Sequence, residues 1–162
     1  MTLKTALTKP TTLWISLIAT IVLTVAFQIA IRIWDLTLLD TISDPVEARL
    51  AISTMSLEQN IIHAWITATL DVAYPIAYGA LFIGSAYKLY GKFGWLVALP
   101  IFVLVPIDLL EGVVQVLALT DVADWLDAKA YLTPIKTILS LFGAFTTVTG
   151  WIIWCFGWLR RS

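Results

Sequence analysis

Four stretches of the chain, about Thr12 to Trp34, Ile61 to Tyr87, Trp95 to Leu119 and Tyr131 to Trp158, are apolar almost throughout. Crossing a hydrocarbon core of about 30 Å takes about 20 helical residues, so each stretch predicts a transmembrane helix. The polar residues inside them are ordered rather than scattered. In the third, Asp108, Glu111 and Gln115 follow i, i+3, i+7 spacing and share one face. The second carries His63, Thr67, Asp71, Tyr74 and Tyr78 on one side, and the fourth Thr133, Lys136, Ser140, Gly143 and Thr147. The first carries Ser16, Thr20, Thr24, Gln28 and Arg32 at strict fourfold spacing, followed by Asp35. Four polar stripes predict helices that turn these faces toward one another. The expected fold is all-α, an integral membrane four-helix bundle with a polar interior, forming a single domain over residues 1–162.

The connections are short except the first, residues 36–60. There Asp44 can cap a helix, Pro45 can occupy its first turn and Glu47 favours its positive end, which predicts a short amphipathic helix on the outer surface. Ser56-Leu57-Glu58-Gln59 has capping-box spacing, so the second long helix is expected to start near residue 57 and to be the longest. Pro75, Pro100, Pro106 and Pro134 lie in or near the start of apolar segments, where each removes a backbone donor and bends its helix. Pro75 frees the carbonyl of Asp71 in addition.

Composition agrees with a membrane location: of 162 residues 60% are hydrophobic and 13% charged, and the mean hydropathy is +0.91. A net charge of −1 gains meaning only when sorted by loop. Lys4 and Lys9 precede the first segment, Lys88 and Lys92 separate the second and third, and Arg160 and Arg161 follow the fourth, with no acid in these stretches. The other two loops carry Asp40, Asp44, Glu47 and Glu58, and Asp121, Asp124 and Asp127. Cytoplasmic N and C termini with acidic outer loops are predicted. Tryptophans, which favour membrane interfaces, fall at the inner ends (Trp14, Trp95, Trp154, Trp158) and the outer ends (Trp34, Trp65, Trp125). The first segment runs too long, without a small-residue cleavage site, to read as a cleaved signal peptide. Cys155 alone excludes an intrachain disulfide and is expected to be a packing residue.

Helices one and three run outward and two and four inward, so Asp71, Asp108, Glu111 and Lys136 fall roughly 8 to 17 Å below the outer boundary. Charged groups at such depth are costly and usually face the interior and pair. Three carboxylates against one ammonium leave −2 if all are ionised, an excess that a protonated acid, a bound cation or a cationic ligand would relieve. Asp71, Asp108, Glu111 and Lys136 are therefore the candidate catalytic residues, with Tyr74, Tyr78, Gln115, Arg32 and Asp35 as candidate ligand contacts. His63 is expected to be a polar anchor near the outer interface, and the lone threonines and Gln28 to serve packing.

One histidine and one cysteine exclude the usual zinc, haem and iron–sulfur ligand sets, so no cofactor and no metal site is expected. No phosphate-cradling glycine loop, nucleophile elbow or basic aromatic patch for nucleic acid is present in the sequence.

Trp34 to Leu36 (WDL), Leu70 to Phe82 (LDVAYPIAYGALF) and Ala130 to Lys136 (AYLTPIK) resemble the EXPERA group of four-helix membrane proteins, which includes the emopamil-binding sterol isomerases and sigma-type receptors. That resemblance implies a lipid-like or amine ligand and, for an enzyme, isomerase-like proton transfer. LDVAYP, PIDLLEG and TPIK also look like bacterial four-helix membrane proteins, which implies the bacterial inner (plasma) membrane. The expected partners are a membrane lipid or lipid-like amine, or a proton or cation, with a homo-oligomer if the chain is a transporter or channel subunit. A non-catalytic assembly subunit is the third alternative.

Overall fold

The structure is a computed structural model that describes residues 2–159. Six α-helices follow in chain order: α1 (Leu3–Leu7), α2 (Pro10–Ile33), α3 (Pro45–Thr54), α4 (Leu57–Leu89), α5 (Gly94–Leu119) and α6 (Lys129–Leu159). Short 3-10 turns at Leu39–Thr41, Gly91–Phe93 and Leu126–Ala128 join them, and no strand occurs among the described residues. Four helices are long and apolar enough to cross a membrane, which makes the chain an integral membrane protein.

Local signals explain the boundaries. The Asp44 carboxylate accepts the Val46 and Glu47 backbone N–H groups at 2.7 and 3.2 Å, and Pro45 opens α3. Ser56 Oγ accepts the Gln59 N–H at 3.2 Å while Gln59 Oε1 accepts the Ser56 N–H at 2.8 Å, a reciprocal cap that starts α4 before its apolar stretch begins. At 33 residues α4 is the longest helix. The short helix α1, which the sequence pattern did not predict, lies so close to α4 that a Cβ on Gly84 would stand 2.5 Å from the Leu7 carbonyl oxygen.

The helix α4 packs against α2, α5 and α6, and α5 also packs against α6, whereas α2 is joined chiefly to α4. Chain ends sort accordingly. Gly84 meets Leu7 and Leu13, and a Cβ on Gly150 would meet Leu89 and Tyr90, so the start of α2 and the end of α6 gather beside the end of α4. The helix α3 and the turn Leu126–Ala128 meet at the opposite end, called here the α3 end. Arg160 and Arg161 lie outside the described residues, as does the Trp158 side chain. Trp14, Trp34, Trp65, Trp95, Trp125 and Trp154 are exposed.

Two apolar layers bracket the interior. At the α3 end Leu36, Leu39, Ala51, Met55, Ala64, Ile66 and Leu119 pack together. Toward the other end Ile83, Ala86, Ala98 and Ile101 do the same. The polar stripes of α4, α5 and α6 lie between and beside them, with Thr67, Asp71, Tyr78, Asp108, Glu111, Gln115, Thr133 and Thr147 all buried. The stripe of α2 departs from expectation. Ser16 is buried, but Thr24, Gln28 and Arg32 are exposed, because only one flank of α2 meets another helix. Thr20 and Thr24 satisfy their hydroxyls on their own helix, donating to the Ser16 and Thr20 carbonyls at 2.7 and 2.8 Å. His63 is buried at 1% exposure rather than placed at the interface, and Cys155 is exposed rather than packed.

Candidate functional site

Glu111, one turn after Asp108 on α5, is the hub of a buried ion-pair network. Its Oε1 accepts Lys129 Nζ at 2.6 Å and also the Thr133 hydroxyl, and its Oε2 lies 2.6 Å from Lys136 Nζ. Lys129, Thr133 and Lys136 stand at i, i+4, i+7 on α6, so one face of that helix delivers two ammonium groups and a hydroxyl to one carboxylate. Glu111 and Lys129 are both completely buried, where an ion pair persists only if its geometry and remaining hydrogen bonds offset desolvation.

Lys136 links this hub to two further acids, Asp108 Oδ1 at 3.2 Å and Asp40 Oδ1 at 3.3 Å. Asp108 is held on its other oxygen by the Tyr78 hydroxyl, which donates at 2.6 Å. Asp40 also accepts from Gln115 Nε2 at 2.7 Å. The chain after α2 can deliver Asp40 here because its neighbours Leu36 and Leu39 are buried in the apolar layer.

Asp71 stands apart. The residue is only 7% exposed, and its carboxylate makes no hydrogen bond or ion pair among the described residues. A Cβ on Gly112 would stand 3.5 Å from its Oδ2, so α5 presents bare backbone to it. Asp71 faces a cavity of about 140 Å³ shared with Asp40, Tyr74, Thr24, Gln28 and Phe27. The Tyr74 hydroxyl lies 3.4 Å from Thr24 Oγ1, and its ring meets Tyr78 edge-on at 5.2 Å.

The structure therefore brings Asp108, Glu111 and Lys136 into direct contact and gathers Tyr78 and Gln115 around them, with Asp71 and Tyr74 at the adjoining cavity. Arg32 and Asp35 are not brought to this cluster. Both are exposed and lie outside this cluster: α2 ends at Ile33, and Asp35 takes a left-handed φ of 49° where the chain turns over. The charge count is corrected. Lys129 and Asp40 join the cluster, so four carboxyl groups face two lysines rather than three facing one. Two ammonium groups against four carboxylates still leave −2 if every group is ionised.

A second, exposed charge group clamps the α3 end. Arg49 on α3 donates to Asp124 at 2.7 Å through Nε and to Asp127 at 3.0 Å through Nη2, tying α3 to the loop between α5 and α6. The Arg49 hydrogen bonds, with help from the Leu126 N–H, hold the Asp124 carboxyl below the usual carboxylate range. No group of three or more His, Cys, Asp or Glu side chains among the described residues has a metal-holding arrangement. Comparison with protein-family models, curated proteins and solved structures finds no match to this chain.

Proposed function

We propose that the four long helices form a membrane bundle with both termini cytoplasmic, and that Asp71, with Asp40 beside it, binds a cationic group within the outer half of the membrane. The observation that carries this reading is Asp71, a largely buried residue whose carboxylate has no hydrogen-bond or ion-pair partner among the described residues and which lines a cavity. An uncompensated carboxyl in such a place is costly and calls for a proton, a cation or an amine-bearing amphiphile. Glu111, Lys129, Lys136, Asp108 and Tyr78 neutralise one another by contact, which supports a positioning role: they hold α4, α5 and α6 together and keep Asp40 at the cavity. If the bound molecule reacts, the chemistry this set favours is proton transfer within a lipid-like substrate, one carboxyl donating and its neighbour accepting. The bacterial plasma-membrane setting rests on the resemblance carried by LDVAYP, PIDLLEG and TPIK.

Native mass spectrometry of protein released from nanodiscs tests the binding. The expected result is a bound mass that Asp71→Asn loses and that a variant of the exposed loop residue Asp121, Asp121→Asn, keeps. Bare protein in all three would refute ligand binding. Proton or cation flux in proteoliposomes that Asp71→Asn abolishes would favour a small transporter, working as an oligomer, over a ligand-binding protein.

A further inference from the structure

From the same cavity we infer that the Asp71 site is loaded sideways from the lipid, through a mouth on α2, so that its occupant is a membrane-dissolved amphiphile with a cationic or hydrogen-bond-donating head. This rests on the binding reading above and narrows it from any proton or cation to a molecule that keeps its apolar part in the bilayer.

Three features argue for the sideways route. The first is the mouth. Thr24 and Gln28 line the cavity yet are exposed, and they lie 9 and 5 residues before the Ile33 end of α2. That places them roughly 14 and 8 Å along the helix from its end, within the hydrocarbon of a spanning helix. A glutamine turned outward at that depth is poorly solvated by lipid and well matched to a polar head group passing it. The second is the apolar packing at both ends of the interior among the described residues. Leu36, Leu39, Met55 and Ile66 pack into an apolar layer at the α3 end, with α3 itself pinned by Arg49. On the other side Ile83, Ala98 and Ile101 close the interior, and Leu104 is fully buried. The third is packing: α2 has no neighbour comparable to α4, so lipid reaches its free flank.

Size agrees. A cavity of about 140 Å³ accepts a head group of a few non-hydrogen atoms and leaves a long tail outside. Two carboxylates, Asp40 and Asp71, with Gln28 and the Tyr74 hydroxyl, fit a head that donates hydrogen bonds and repel one that carries negative charge.

Single-cysteine accessibility in nanodiscs tests the route. In a Cys155→Ser background, Leu23→Cys and Asp71→Cys place a thiol at the cavity, and Phe145→Cys, on the exposed side of α6, reports how each reagent partitions into lipid. Two probes are compared, an uncharged maleimide with a hydrocarbon tail and a sulfonated, membrane-impermeant maleimide. Relative to the control, the tailed probe should label both cavity thiols, and adding Thr24→Trp to plug the mouth should slow it about tenfold, while the sulfonated probe stays about tenfold slower still. Equal labelling by the sulfonated probe, no effect of Thr24→Trp, or no labelling of either cavity thiol by the tailed probe would each overturn the proposal. Leu23→Cys keeps the test intact if Asp71→Cys does not fold. The two readings fail separately: a lipid-side labelling pattern without an Asp71-dependent bound mass removes the ligand but not the route, and the reverse removes the route alone.

Discussion

Replacing Glu111 with glutamine changes charge while nearly preserving shape, and so isolates what the buried network contributes. Three groups converge on this carboxylate: the Lys129 and Lys136 ammonium groups, each at 2.6 Å, and the Thr133 hydroxyl. Lys136 keeps Asp108 at 3.2 Å and Asp40 at 3.3 Å after the change. Lys129 has no other ion pair among the described residues and is completely buried. The cost therefore falls on one stranded ammonium group, and removing one partner of a buried pair typically costs about 3–5 kcal/mol. Lys129→Met strands only part of Glu111, which still has Lys136 and Thr133, so its loss should be the smaller of the two. The double variant removes both ends of the pair and should recover about 2 kcal/mol or more relative to the sum of the single losses. Reversible unfolding in mixed micelles, run as a double-mutant cycle, reads this coupling. A Glu111→Gln loss below about 0.5 kcal/mol, or strict additivity in the cycle, would refute the claim that this network holds α5 to α6.

The clamp at the α3 end makes a pH prediction. Because Arg49 holds the Asp124 carboxyl below its unfolded value, the clamp's contribution is present above the ordinary carboxyl range near pH 4 and is lost as pH falls through the lower folded value. Amide exchange in Pro45–Thr54 should accelerate only below about pH 4, and Asp124→Asn should show fast exchange at neutral pH without that step. Gly94→Ala would place a Cβ 2.6 Å from the Ala86 carbonyl oxygen and 2.8 Å from the Tyr87 Cα. Backbone on both sides cannot yield cheaply, so unfolding should show a loss of about 1–3 kcal/mol. For orientation, an impermeant thiol reagent applied from outside should label cysteines placed beside Asp44 or Asp124 and not one beside Lys92, and the reverse pattern would invert the proposed topology.

The spans, the capping box at Ser56 and the cap at Asp44 were legible in the sequence because each depends on neighbours a few residues away. So was the shared face of Asp108 and Glu111. Lys129 escaped because it follows Asp124 and Asp127 in a stretch that reads as an acidic loop. Its signal was the spacing of Lys129, Thr133 and Lys136, one face of a helix that begins earlier than its apolar run. Asp40 escaped for a different reason: a loop residue is placed by tertiary contacts, here the burial of Leu36 and Leu39, and no periodicity announces them. Arg32 lies on a face left exposed, because fourfold spacing tells which residues share a face and not whether that face has a neighbour.

That distinction bears on function. The helix α4, touched by three long helices, buries its polar stripe, and α2, joined chiefly to one, leaves part of its stripe outward. On a soluble protein Gln28 would face water and need no explanation. In a spanning helix the same exposure sets an amide against hydrocarbon, beside a cavity that contains the unpartnered Asp71. The two unsatisfied groups lie on one cavity, so a single polar head seated there would answer both, which neither a purely structural ion-pair network nor chance exposure of a glutamine does.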